Sequence, residues 1–206
     1  MTKTLTRVES PPLVLHLRPA IELSDEQLFE FCQLNEDLRI ERTAEGDLEI
    51  MPPAGWESSR HNLGIAAQLW TWALRDGTGE ATDSSGGFTL PNGAMRAPDA
   101  AWVQKSRLHG LTVRQKEGFL PLCPDFVIEV RSPSDRLRAA QAKMREYIEQ
   151  GAALGWLIDG PNRRVYIYRP NAEVKRLDNP STLSGAPELP GFVLDLKLTW
   201  GATADE

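Results

Sequence analysis

The spacing of apolar positions along the chain divides it into alternating helical and extended segments. After an extended, Pro-containing start, Leu28, Phe31, Leu34 and Leu38 recur at the three- and four-residue steps of one helix face. Ser24-Asp25-Glu26-Gln27 stands before them as a capping box, in which the Ser24 hydroxyl and the Gln27 side chain each satisfy a free backbone donor. The pattern predicts a helix over 24–38 with an ordinary core-packing face. Arg39 to Thr43 and Leu48 to Met51 then flank Ala44-Glu45-Gly46-Asp47, which reads as a hairpin with Gly46 supplying the positive φ. Pro52-Pro53 ends it. A second helix is predicted over 57–75, burying Leu63, Ala67, Trp70 and Leu74 and closing at Gly77.

The period then shortens. Residues 79–104 read as meandering strands punctuated by Gly86-Gly87 and Pro91-Asn92-Gly93, followed by a loop or short helix over 106–118. Phe126-Val127-Ile128-Glu129-Val130 is a continuous apolar run with one acid inside it, which suits a central strand covered on both faces. Ser132-Pro133-Ser134-Asp135 reads as a turn and helix start, with Ser132 and Ser134 as turn and cap residues. The helix over 135–150 stops at Gly151, and strands over 154–159 and 164–169 follow, joined by Gly160-Pro161-Asn162-Arg163. Shorter strands are predicted over 173–177 and 192–198. Trp70, Trp102 and Trp156 fall in apolar patterns and are expected inside. The layout implies one α/β domain over 24–206, a mixed β-sheet flanked by helices, preceded by an N-terminal extension over 1–23.

Composition narrows the class. The 206 residues are 41% hydrophobic and 25% charged, which argues for a globular chain, and no apolar stretch approaches the roughly 20 residues of a membrane span. The start, MTKTLTRVES, carries no apolar segment of a secretory signal, so a cytoplasmic location is expected. Cys32 and Cys123 are too few for a stapled scaffold and read as reduced thiols. The net charge of -6 counts against nucleic acid until it is divided along the chain. Residues 96–145 carry 10 basic and 5 acidic side chains, a net +5, while every other segment is acidic. Such asymmetry marks either a binding face or a solvated basic helix side.

The chemistry centres on Glu129. A carboxylate among Phe126, Val127, Ile128 and Val130 is several kcal/mol unfavourable unless neutralised or bound to a cation. In Arg96-Ala97-Pro98-Asp99-Ala100-Ala101-Trp102-Val103, Asp99 sits at the start of another predicted strand, just after a proline. Two carboxylates on adjacent strands can hold a hard divalent cation through oxygen, as Mg²⁺ prefers. Asp125 repeats the Pro-Asp dipeptide but lies four residues before Glu129, about 13 Å along a strand, and reads as a hydrogen-bonding residue at the strand start.

Pro98-Asp99 followed by Glu129-Val130-Arg131 resembles the PD-(D/E)XK nuclease superfamily. The strings RAPDAAWV and CPDFVIEVRSPSD, then Lys143 and Tyr147, Gly151 and GWLIDGPNRRVYIY, are similar to the Uma family of bacterial restriction endonucleases from about Ser24 to Arg169. The resemblance implies a restriction-endonuclease-like core with Asp99, Glu129 and the backbone carbonyl of Val130 as metal ligands. It implies Mg²⁺, with Mn²⁺ as a substitute, and DNA phosphodiester hydrolysis by metal-activated water. Where the superfamily has lysine this chain has Arg131, which stays protonated. Lys143, on the following helix, is preferred to Arg131 as the electrostatic stabiliser. Glu57 and His61 lie one turn apart on the second helix, where similar families place an acid and a histidine near the metal; a helix N-terminus also favours Glu57 without any such role. Tyr147, four residues after Lys143, either packs in the core or orients a phosphate, and His16 and His109 read as structural or exposed. A homodimer follows by analogy. The leading expectation is a metal-dependent DNA endonuclease. A nucleic-acid-binding module that no longer cuts, and a scaffold protein, are the alternatives.

Overall fold

The computed structural model describes residues 12–133, 135–197 and 199–200. Most of the N-terminal extension, Ser134 with its cap reading, Leu198 at the end of the last predicted strand, and residues 201–206 lie outside them. In chain order the elements are β1 (Leu13–Leu15), α1 (Asp25–Leu34), β2 (Arg39–Arg42), β3 (Leu48–Met51), α2 (Trp56–Asp76), β4 (Gly79–Asp83), β5 (Phe88–Thr89), β6 (Met95–Arg96), β7 (Ala100–Gln104), α3 (Lys105–Leu108), α4 (Val113–Glu117), β8 (Phe126–Arg131), α5 (Leu137–Glu149), β9 (Leu154–Asp159), β10 (Arg164–Tyr168), β11 (Lys175–Asp178), β12 (Thr182–Ser184) and β13 (Val193–Asp195). Among the described residues no helix is long and apolar enough to cross a membrane.

A six-stranded sheet ordered β11-β10-β9-β8-β7-β4 carries the core. It is mixed: β8 and β9 run parallel while the other pairs are antiparallel. A parallel pair needs a crossover, and α5 supplies it between β8 and β9. The alternation along β8 divides its side chains between two layers. Phe126 and Ile128 meet Ile65, Leu69 and Trp72 of α2 together with Trp156 and Phe192, with Trp156 stacked on Phe192 at 5.6 Å. Val127 meets Met144 and Tyr147 of α5 on the other face. Glu129 shares parity with Val127 and so faces α5. A second, five-stranded sheet ordered β1-β3-β2-β6-β5 lies in the N-terminal half, its strands pairing antiparallel.

Local signals placed most boundaries. Ser24 caps α1 through the complete capping box, and Gly46 turns the β2–β3 hairpin at φ 93°. Gly77 ends α2 in the left-handed region at φ 72°. The α1 helix stops at Leu34, earlier than its apolar spacing predicts: Leu34 and Leu38 are exposed, and Asn35 takes the C-cap. The larger correction concerns α2. Leu63, Ala67, Trp70 and Leu74 are all exposed, Trp70 at 52%, and the buried face is Ile65, Leu69, Trp72 and Ala73. This helix carries two apolar stripes, and the sheet covers the one whose Trp72 packs against Trp102 and Phe192. Trp102 and Trp156 are buried as expected.

Candidate active site

The register of β7 against β8 pairs Ala100 with Ile128, which carries Asp99, just before β7, to the end of the pair beside Glu129 and Val130. Both carboxylates are nearly removed from solvent, Asp99 at 6% and Glu129 at 9% exposure. The Val130 amide donates to Asp99 Oδ2 at 2.8 Å, and Asn62 Nδ2 of α2 donates to Oδ1 at 2.8 Å. Arg39 of β2 reaches the same Oδ1 from Nη1 at 3.4 Å. Glu129 Oε1 accepts from the Tyr147 hydroxyl at 2.9 Å and pairs with Lys143 Nζ at 2.8 Å. Lys143 and Tyr147 are one turn apart on α5 and so present one face to β8.

A third acid lies in the same cluster. Glu41 of β2 is 1% exposed, and its Oε1 pairs with Lys143 Nζ at 2.8 Å and accepts the Ala97 amide at 3.1 Å. Its Oε2 pairs with Arg96 at 3.2 Å, and Arg96 in turn pairs with Glu49 and Glu146, each at 2.7 Å. Lys143 therefore ties the large sheet at Glu129 to the small sheet at Glu41. Sequence reading misses Glu41, Arg39 and Asn62. Glu41 lies inside the strand string Arg-Ile-Glu-Arg with no local sign of burial, because α5 and the segment leading into β7 close over it.

The electrostatics follow from this burial. Desolvation pushes the Glu129 carboxyl up to about 7; Lys143 opposes that shift, while the carboxylates of Asp99 and Glu41 add to it. Burial also raises Asp99 against the pull of Arg39 and the Val130 amide. Burial favours the protonated form of Glu41 as well, but Lys143 and Arg96 outweigh it and hold the group below the usual carboxylate range. Partial burial works against the charge on Lys143, but Glu129 and Glu41 outweigh it and hold the ammonium above its ordinary value.

Other predicted residues are placed elsewhere. Arg131 turns to Asp159, which is fully buried, at 2.7 Å, and also donates to the carbonyls of Ser132 and Asp135. It is thus engaged away from Glu129, and the cation beside that acid is Lys143. Glu57 is an exposed residue of the first turn of α2, bonded to Arg60 at 2.8 Å. His61 lies against Arg60 and Glu57, and burial lowers its pKa. Neither contact joins them to the carboxylates, and the α2 residue that touches Asp99 is Asn62. Asp125 accepts from the Gln104 amide at 2.9 Å and from Arg107 at 2.9 Å, the hydrogen-bonding role expected at the strand start. His16 is exposed and meets Asp47 at 2.9 Å.

The donor set suits a hard divalent cation. Asp99, Glu129 and the Val130 carbonyl offer oxygen only, and two polar atoms beside them, Asn62 Oδ1 and Arg39 Nε, are buried with no hydrogen-bond partner among the described residues. Among the described residues no group of three His, Cys, Asp or Glu side chains converges as a metal cluster, so an ion here would combine two carboxylates with main-chain oxygen and water. A cavity of about 650 Å³ opens onto Asp99, Arg39 and Asn62 and runs along α2 past Leu63, Ala66 and Trp70.

Residues 25–197 match the Uma2 family, whose description is "Putative restriction endonuclease". The chain belongs to the Uma2 family. Its fold is similar to that of a crystal structure from Anabaena variabilis titled a putative nuclease belonging to DUF820. The TM-score is 0.69 and the identity 20%, over 87% of this chain and 98% of that one. No curated protein matches the chain. The Uma2 match takes in every described element except β1, so the cluster of Glu41, Asp99, Glu129 and Lys143 lies wholly inside it. The restriction-endonuclease-like α/β class expected from the sequence is the one found.

Proposed function

We propose that this Uma2 protein is a divalent-metal-dependent endonuclease that hydrolyses DNA phosphodiester bonds. The observation that carries the reading is the juxtaposition of two buried carboxylates, Asp99 and Glu129, on neighbouring strands, with Lys143 held at 2.8 Å from Glu129. Asp99, Glu129 and the Val130 carbonyl are the residues that would hold Mg²⁺, or Mn²⁺ in its place. Such an ion supplies an acidified water and stabilisation of negative charge on the phosphate. Lys143 is the electrostatic stabiliser, a fixed positive charge in a water-poor setting where it acts strongly on developing charge. Tyr147 and Glu41 orient Lys143 and Glu129, while Arg131 holds the end of β8 against Asp159. Within the net +5 segment 96–145, Arg96, Arg131 and Lys143 are already paired with Glu146, Asp159 and Glu41, so the segment charge by itself does not measure a DNA-binding face. Two copies acting together would serve to cut both strands.

The test is cleavage of supercoiled DNA with Mg²⁺ or Mn²⁺. Asp99→Ala and Glu129→Ala should abolish nicking and linearisation, and Lys143→Met should slow it about 10²–10³-fold. Chelator should stop the wild type. Full cleavage by either carboxylate variant would refute the site. Binding of DNA by the wild type without any metal-dependent cutting would favour a binding module on this fold.

A further inference from the structure

The two cations that face the carboxylate pair are held very differently. Lys143 makes two contacts of 2.8 Å, to Glu129 and Glu41, and its side chain is 18% exposed. Arg39 reaches Asp99 Oδ1 only at 3.4 and 3.5 Å, while its one short bond, 2.8 Å, goes to the Ala97 carbonyl. Its side chain is 35% exposed, its Nε has no partner among the described residues, and it lines the 650 Å³ cavity beside Asp99. Bonds of 3.4–3.5 Å are at the weak end for guanidinium and carboxylate, which meet at about 2.7–2.9 Å when well paired. The Asp99 oxygens have better partners in Val130 and Asn62, at 2.8 Å each. Arg39 thus contributes mainly charge at Asp99, from the side that opens to the cavity.

We infer that Arg39 is an exchangeable counter-ion of Asp99: it offsets the buried carboxylate while no divalent cation is bound, and gives up Oδ1 to the cation when one binds. Lys143, clamped between two acids on two sheets, is the fixed charge, and Arg39 is the one that yields. This inference rests on the reading of Asp99 as a metal ligand. It makes Arg39 a positioning residue with a sign opposite to that of a structural one. Loss of a structural arginine would loosen the site and weaken cation binding, whereas loss of a competitor strengthens it.

The experiment is calorimetric titration of the full chain with Mn²⁺, comparing wild type, Arg39→Gln, Arg39→Lys and Asp99→Asn. Arg39→Gln should bind Mn²⁺ at least fivefold more tightly than wild type, and its melting temperature should rise further on adding Mn²⁺. Arg39→Lys, which keeps the charge but not the forked guanidinium, should fall between the two and serves if the glutamine variant does not fold. Equal or weaker Mn²⁺ binding by the arginine variants, with Asp99→Asn having lost it, overturns the counter-ion role alone. Mn²⁺ binding by Asp99→Asn as tight as that of wild type overturns the metal-ligand reading and this inference with it.

Discussion

Glu41 offers the sharpest perturbation, because one buried carboxylate holds both buried Arg96 and partly buried Lys143. Its oxygens take Lys143 Nζ at 2.8 Å, Arg96 Nη1 at 3.2 Å and the Ala97 amide at 3.1 Å, at 1% exposure. Removing one partner from a buried ion pair costs about 3–5 kcal/mol, since the other charge is left uncompensated. Here Lys143 keeps Glu129, and Arg96 keeps Glu49 and Glu146, which moderates the loss. The orphaned Ala97 amide adds about 1–3 kcal/mol where nothing replaces the acceptor. Glu41→Ala should therefore lose about 4 kcal/mol, and Glu41→Gln, which keeps an acceptor but no charge, about 2–3 kcal/mol. With a urea slope of about 2 kcal/mol/M, the midpoint of Glu41→Ala falls by about 2 M at unchanged slope. The cost of Glu41→Ala plus Lys143→Met together should be smaller than the sum of the two by at least about 1 kcal/mol, because the pair shares one interaction. A loss below about 1 kcal/mol for Glu41→Ala, or strict additivity with Lys143→Met, would refute the clamp between the two sheets.

Two further outcomes follow from burial. Glu129 is pushed up to about 7 from 4.5, so the folded chain holds that proton more tightly than the unfolded one, and Glu129 lowers stability as pH rises through that window. The cation needs the ionised form, so Mn²⁺ affinity should climb more than about tenfold between pH 5.5 and 8; titrations giving one affinity across that range would contradict it. Trp70→Ser, on the exposed stripe of α2, should change stability by less than about 0.5 kcal/mol, whereas Trp156→Ala, fully buried against Phe126 and Phe192, should cost about 3–5 kcal/mol. A loss from Trp70→Ser as large as that from Trp156→Ala, measured by urea unfolding, would show that the Trp70 stripe of α2 packs inward.

What the sequence determined by itself was the local structure and the first half of the site. Caps, turn glycines and apolar period set most element positions because they act within a few residues. Glu129 stood out because a charge in an apolar strand needs a partner, and Asp99 because it opens a neighbouring predicted strand just after a proline. Tertiary structure decided the rest. Two stripes of α2 satisfy the same helical spacing, and only packing of Trp72 against Trp102 and Phe192 selects the buried one. Arg131 and Lys143 were both eligible beside Glu129 until Asp159, 28 residues further along, engaged the arginine. Glu41 lies 102 residues from Lys143 and Arg39 lies 60 from Asp99. Those separations leave no periodic trace, because a charge pair is made by where two sheets meet and its energy depends on the water that their meeting excludes.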